Sequence, residues 1–156
     1  MSDIVAGRAG QETVKRASIV AGVSDVQLAY SLFRFASGVN LFFHGGMRII
    51  TGVVPWADKQ AEAFVNDPLL PMWFVKSFLY ILPSIEVALG AVIAVGLFTG
   101  WALVAGFALM FVLTFGNLTR QDWGTVGNNM HYVLYYALMI AGQRYDVFSL
   151  DQWKKR

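Results

Sequence analysis

Two histidines stand in otherwise apolar stretches of this sequence, each accompanied by groups that could assist proton chemistry. His44 lies in "LFFHGGMRII", four residues before Arg48. His131 lies in "VGNNMHYVLYY", flanked by Asn129 and Tyr132. Imidazoles, amides and a guanidinium between apolar walls could hydrogen-bond the carbonyls of a quinone and move its protons. In that reading Arg48 stabilises an anionic form of the headgroup or attracts an anionic substrate. Asn117, at the end of another apolar segment, joins the same set, and Phe42, Phe43, Phe111, Phe115, Tyr132 and Tyr135 supply walls for ring and tail. Two imidazoles facing each other across a bundle could instead ligate a b-type haem. No metal site is expected, because two histidines without a carboxylate at matching depth do not make a zinc set. The bland alternative is that these polar residues satisfy helix ends near water.

The acidic side is sparser. Glu86 is the only charged residue between Lys76 and Arg120. An isolated carboxylate in such surroundings needs a partner. Arg34 is the expected one, as a structural ion pair between two helices, with a proton relay through Glu86 as the functional version. Glu86 therefore joins His44 and His131 as a candidate catalytic group. Arg48, Asn117, Asn129 and Tyr132 are the candidate quinone-binding residues.

These groups must be positioned by helices in lipid. Of the 156 residues, 56% are hydrophobic and only 14% charged, with a mean hydropathy of +0.52. Soluble domains carry about 25% charged residues. Cysteine is absent, which excludes disulfides, thiolate metal sites, iron–sulfur ligation and dithiol redox chemistry by this chain. A net charge of +2 with no basic run interleaved with aromatics argues against nucleic acid.

Four segments approach the roughly 20 residues a helix needs to cross hydrocarbon: about 28–54, 72–95, 99–118 and 125–141. The expected fold is an all-α integral membrane four-helix bundle over 28–142. Residues 1–27 read as a retained polar tail with room for a short interfacial helix, and 143–156 as a second tail. Basic residues concentrate in the tails (Arg8, Lys15, Arg16, Arg144, Lys154, Lys155, Arg156), so both termini are expected to be cytoplasmic. Trp56, Trp73 and Trp123 fall at the outer boundary and Trp101 and Trp153 at the inner one, as an aromatic belt requires. The connection "PWADKQAEAFVNDPLLP" reads equally as a short surface helix or a loop.

At about 100° per residue, Arg34, Leu41, His44 and Arg48 share an arc of roughly 80° that should face the bundle. At about 1.5 Å per residue, His44 and His131 come out level in the outer half, and Arg34 and Glu86 close in the inner half. Gly45-Gly46 serves either close helix packing or room for a ligand beside His44.

The runs "RFASGVNLFFHGGMRI" and "PSIEVALGAVIAVGLFT" together resemble the DoxX family of small four-helix membrane proteins. Arg34, Gly38, His44, Gly45, Arg48, Glu86, Gly90 and the Gly96-Leu97 turn carry the likeness, which covers Leu28 to Gly142. Gly100 departs from it, since relatives often have a basic residue there. The resemblance implies a bacterial or archaeal inner membrane. It also implies kinship with the membrane subunit of thiosulfate:quinone oxidoreductase, or with partners in redox stress, metal handling or cofactor maturation. The resulting expectation is a multi-pass membrane subunit of a quinone-linked oxidoreductase, surrounded by lipid and other redox subunits, its electrons coming from a partner protein or small reductant. The rival is a structural or assembly subunit without a site. A small permease is disfavoured, because the inner half offers only Arg34 and Glu86 along any polar path.

Overall fold

The computed structural model describes residues 19–154; the expected tail over residues 1–18 lies outside the described residues. Four long helices dominate: α1 (Asp25–Thr51), α3 (Met72–Val95), α4 (Thr99–Thr119) and α5 (Trp123–Ala141), with short α2 (Val53–Glu62) and α6 (Leu150–Trp153). Among the described residues there is no strand, only an isolated bridge between Val20 and Val23.

The helix limits follow from local chemistry. α1 starts three residues before the expected span because Ser24 and Gln27 form a capping box. The Ser24 hydroxyl accepts from Gln27 N at 3.3 Å and the Gln27 side chain accepts from Ser24 N at 2.9 Å, satisfying two orphan donors. α1 ends at Gly52, whose φ of 106° breaks the helix. The chain restarts at once as α2, so the long connection is helical in its first half. α3 closes in a Schellman turn: Gly96 is left-handed, and Leu97 N donates to Val92 O at 3.1 Å.

α1 and α3 pack antiparallel through glycine. A Cβ at Gly38 would strike the backbone of Ala94 and Gly90, and one at Gly90 the backbone of Phe42. A Cβ at Gly45 would strike the Pro83 carbonyl and stand 2.8 Å from Glu86 Cβ. Gly46, by contrast, has nothing within 4 Å. Gly45 is therefore a packing residue, and Gly46 is not.

This register overturns the expected Arg34–Glu86 ion pair. Gly45, not Arg34, is level with Glu86, which places the acid about 16 Å along the axis from Arg34. The sequence estimate set the lower ends of both helices at one height, but α1 begins well below the end of α3. Arg34 instead lies at the C-terminus of α3, donating to the carbonyls of Ile93 and Ala94 (2.8 Å to Ala94) and to Phe148 O at 3.1 Å. Its Nε stands 3.6 Å from Asp146, and both side chains are almost wholly buried. A cation there meets the orphan carbonyls and the negative end of the helix dipole.

The C-terminal segment is thus part of the fold. A 3-10 turn (Gln143–Tyr145) leads from α5 under the bundle. Asp151 accepts from Phe98 N (2.9 Å) and Thr99 N (2.7 Å), which caps α4 and supports the left-handed Phe98 before it.

α5 pairs chiefly with α4, and α3 joins this pair to the α1–α3 pair. α3 and α4 have 24 and 21 residues and mean hydropathies of 2.1 and 1.9, long and apolar enough to cross a membrane, and most of each hydrophobic window is not buried in the protein. α1 and α5 fall outside that description.

The glycines give a matched comparison. Gly38→Ala should lose at least about 1–3 kcal/mol, because its methyl meets backbone that cannot rotate away. Gly46→Ala should be neutral or gain up to about 1 kcal/mol, as for a helix-interior glycine in open space. Thermal unfolding in detergent checks this, and equal losses for both variants would refute the assigned register.

Candidate functional site

α1 presents two faces. Gly38, Leu41 and Gly45 lie against α3, while Ser37, Asn40, His44 and Arg48 turn toward α5. At the lower end α1 and α5 touch: Tyr30 donates to Met139 O at 3.1 Å, and Phe33 meets Tyr135 edge to face at 5.4 Å. Above that contact a chamber of about 350 Å³ opens between α1 and α5. Leu41, Met110, Leu113 and Met139 supply apolar wall. His44, Arg48, Glu86, Asn129, Tyr132 and Tyr136 supply the polar groups.

Glu86 is 2% exposed and paired with Arg48, its true partner. One turn beyond Gly45, Arg48 reaches back along α1 to the carboxylate. The other side of its guanidinium lies 4.4 Å from the centre of the Trp56 ring, so α2 helps to hold the pair. The Arg48 side chain is 24% exposed, so the desolvation that the pair must offset falls mainly on the carboxylate. Tyr136 is fixed from behind: a Cβ at Gly106 would stand 2.8 Å from its Cζ, so the missing side chain is what lets the ring lie flat on α4.

The expected residues divide. His44, Arg48, Glu86, Asn129 and Tyr132 come together around the chamber. His131 does not: it is exposed and absent from the lining. Asn129, Tyr132, Tyr136 and Met139 of α5 line the chamber, and His131 is rotated about 120° from the middle of that stripe. Equal depth therefore did not bring the two histidines into one chamber. Asn117 also lies elsewhere, donating to Leu113 O at 2.8 Å and accepting from Arg120 in a second chamber. Phe115 lines that second chamber, while Phe42, Phe43 and Phe111 are exposed. Among the described residues no group of three or more His, Cys, Asp or Glu could hold a metal.

Asn40 and Tyr136 were missed in the sequence. Asn40 was legible, one turn before His44 on the same face. Tyr136 was legible only once the α5 stripe was drawn from Asn129.

Residues 26–140 match the family described as Methylamine utilisation protein MauE. No curated protein matches the chain, and no solved structure does. The MauE match corrects the resemblance to DoxX. The two runs that suggested DoxX contain Gly38, Gly45 and Gly90, where helices touch, and Arg48 and Glu86, which pair. Such features serve any tightly packed antiparallel helix pair with one buried acid, and so discriminate poorly between families.

Removing one member of the Arg48–Glu86 pair should be worse than removing both. Arg48→Met should cost about 3–5 kcal/mol by stranding a buried carboxylate. Adding Glu86→Gln should recover at least half of that. A double-mutant cycle on thermal stability measures it, and purely additive losses would show that the pair is not coupled.

Proposed function

The chain belongs to the MauE family, and from that premise we propose a multi-pass membrane subunit of a redox system that binds a quinone headgroup in the chamber between α1 and α5. The family is named for methylamine utilisation. Using methylamine requires its oxidation, and the electrons released need an acceptor. A bound quinone would supply that chemistry, accepting two electrons and two protons.

The observation that carries the reading is the chamber itself: about 350 Å³, mostly apolar, with convergent polar groups and one buried ion pair. That size falls within the range of small-molecule sites. His44 sits where it could donate to or accept from a headgroup oxygen and exchange its proton with the chamber mouth, where it is exposed. Asn129 offers an amide donor on the facing helix, and Tyr132 a phenol. Arg48 faces the chamber while holding Glu86, so it offers positive charge to electron density gathering on an oxygen. The rings of Tyr132 and Tyr135 pack edge to face, 5.9 Å apart, and supply an aromatic wall beside the site. His131 is outside this set.

A four-span topology is supported by the faces of α1 and α5. The Ser31 hydroxyl and the Arg34 Nη atoms donate to backbone carbonyls within the protein, while Leu32, Phe35, Phe43, Met47, Leu134 and Leu138 are exposed and apolar. Exposed Trp73 and Trp123 begin helices at one end of the bundle, and Trp101 and Trp153 lie at the other. Lys154 and the basic tails would put the Arg34 end in the cytoplasm of a bacterial or archaeal cell.

Two measurements test these readings. The full chain in nanodiscs should bind ubiquinone-1 or a short-chain menaquinone saturably. His44→Ala and Ser37→Leu should each weaken binding at least tenfold, and His131→Ala should leave it unchanged. No saturable binding would sink the quinone reading and leave a structural or assembly subunit. For topology, the chain's lack of cysteine allows single-cysteine labelling. Gln60→Cys should react with an impermeant maleimide from outside intact cells and Lys154→Cys only after lysis. Labelling of both from one side would overturn the four-span arrangement, because three spans separate the two positions, whereas the reverse pattern would overturn only the orientation.

A further inference from the structure

A second chamber, of about 460 Å³, lies at the Arg48 end, roofed by α2 and floored by α3 and α4. It shares only Arg48, Leu113 and Asn129 with the mid-bundle chamber. We propose that it is a separate binding site for a small organic acid with an aromatic or branched apolar body.

The proposal follows from the balance of donors and acceptors. Two arginines line the chamber, each placed against a ring. The Arg48 guanidinium lies over Trp56, and that of Arg120 lies 4.5 Å from the centre of Phe64. Arg120 donates through Nη2 to Asn117 and, at 3.4 Å, to Asp122. Its Nε is buried and has no acceptor. A guanidinium carries five N–H donors, and a buried one left unmet costs about 1–3 kcal/mol.

Asp122 is the single carboxylate in the lining, and it is occupied. Its Oδ1 accepts from Thr125 N at 3.1 Å and its Oδ2 from the Thr125 hydroxyl at 2.7 Å, as the N-cap of α5. Those bonds from Thr125, with the nearby Arg120 charge, hold its carboxyl below the usual carboxylate range. Asn117 already accepts from Arg120. Glu86 answers Arg48 from the other chamber. Asp67, near Arg120 but outside the lining, accepts from Leu69 N and Leu70 N at Oδ1, both at 2.9 Å, while its buried Oδ2 has no hydrogen-bond partner. Within the lining, the Arg120 Nε is left without an acceptor, and no side-chain carboxylate there is free to meet it. A carboxylate supplies two acceptor oxygens in the geometry a guanidinium fits. The remaining wall, with Phe64, Phe74, Phe78 and Leu82, is apolar and aromatic and suits a hydrocarbon or aryl body rather than an inorganic anion.

Gly116 offers an independent handle. A Cβ there would stand 3.8 Å from the Phe64 ring, in ordinary contact, so a larger side chain enters the chamber without touching backbone.

The site does not rest on the quinone reading, and its test is separate. The full chain in nanodiscs is titrated with 4-fluorobenzoate, followed by fluorine NMR, with empty nanodiscs as the blank. Saturable binding is expected, at least tenfold tighter than that of neutral 4-fluorobenzamide. Arg120→Gln should weaken it at least tenfold and Gly116→Leu should abolish it. Thermal unfolding confirms that each variant is folded, and a folded Gly116→Leu suffices if Arg120→Gln is not. The proposal is overturned if the wild type shows no saturable binding, if acid and amide bind alike, or if the folded variants bind as the wild type does.

Discussion

Everything in this molecule is indexed to the close antiparallel contact of α1 with α3. Three glycines, Gly38, Gly45 and Gly90, let the two backbones touch. Side-chain packing alone tolerates small slips, but backbone against backbone does not. Once that register is set, Arg34 falls at the C-terminal carbonyls of α3 and Arg48 falls at Glu86. Two arginines in one helix thus meet different needs, one answering a helix end and the other a buried acid.

The chamber is a consequence of the same contact. α1 is committed to α3, and α5 rests on α4 through Tyr136 and Gly106. The tight Gly96–Phe98 turn ties the two pairs together at the lower end, where α1 and α5 also meet through Tyr30 and Phe33. Nothing forces those two helices together higher up. The gap between them holds the buried pair and the imidazole, so space left open by packing coincides with a set of polar groups. Buried polar groups beside a cavity are costly unless satisfied, which is why this gap, and not the dry α1–α3 seam, reads as the site.

The C-terminal segment extends the same logic. Asp146, Phe148 and Asp151 engage Arg34, Phe98 and Thr99. They close the bundle at the end where α3 and α4 would otherwise present bare carbonyls and amides. A stretch that reads as a charged tail is in fact a cap, because its few polar side chains are spent on helix ends.

Length and hydropathy in the sequence were enough to determine four long helices, their order and their limits to within a few residues, since each rests on local pattern, caps and glycine breaks. The sequence also determined that His44 and Arg48 share a face with Arg34, because helical periodicity is local. It could not determine which acid meets which arginine. That depends on the relative height of two helices, and a shift of about two helical turns, invisible in either segment alone, moved Glu86 from Arg34 to Arg48. Nor could equal depth show that His131 turns away from His44: depth follows from counting along one helix, whereas facing follows from how α5 is rotated on α4. The ring of Tyr136 against Gly106 settles that rotation, and only the tertiary structure contains that contact.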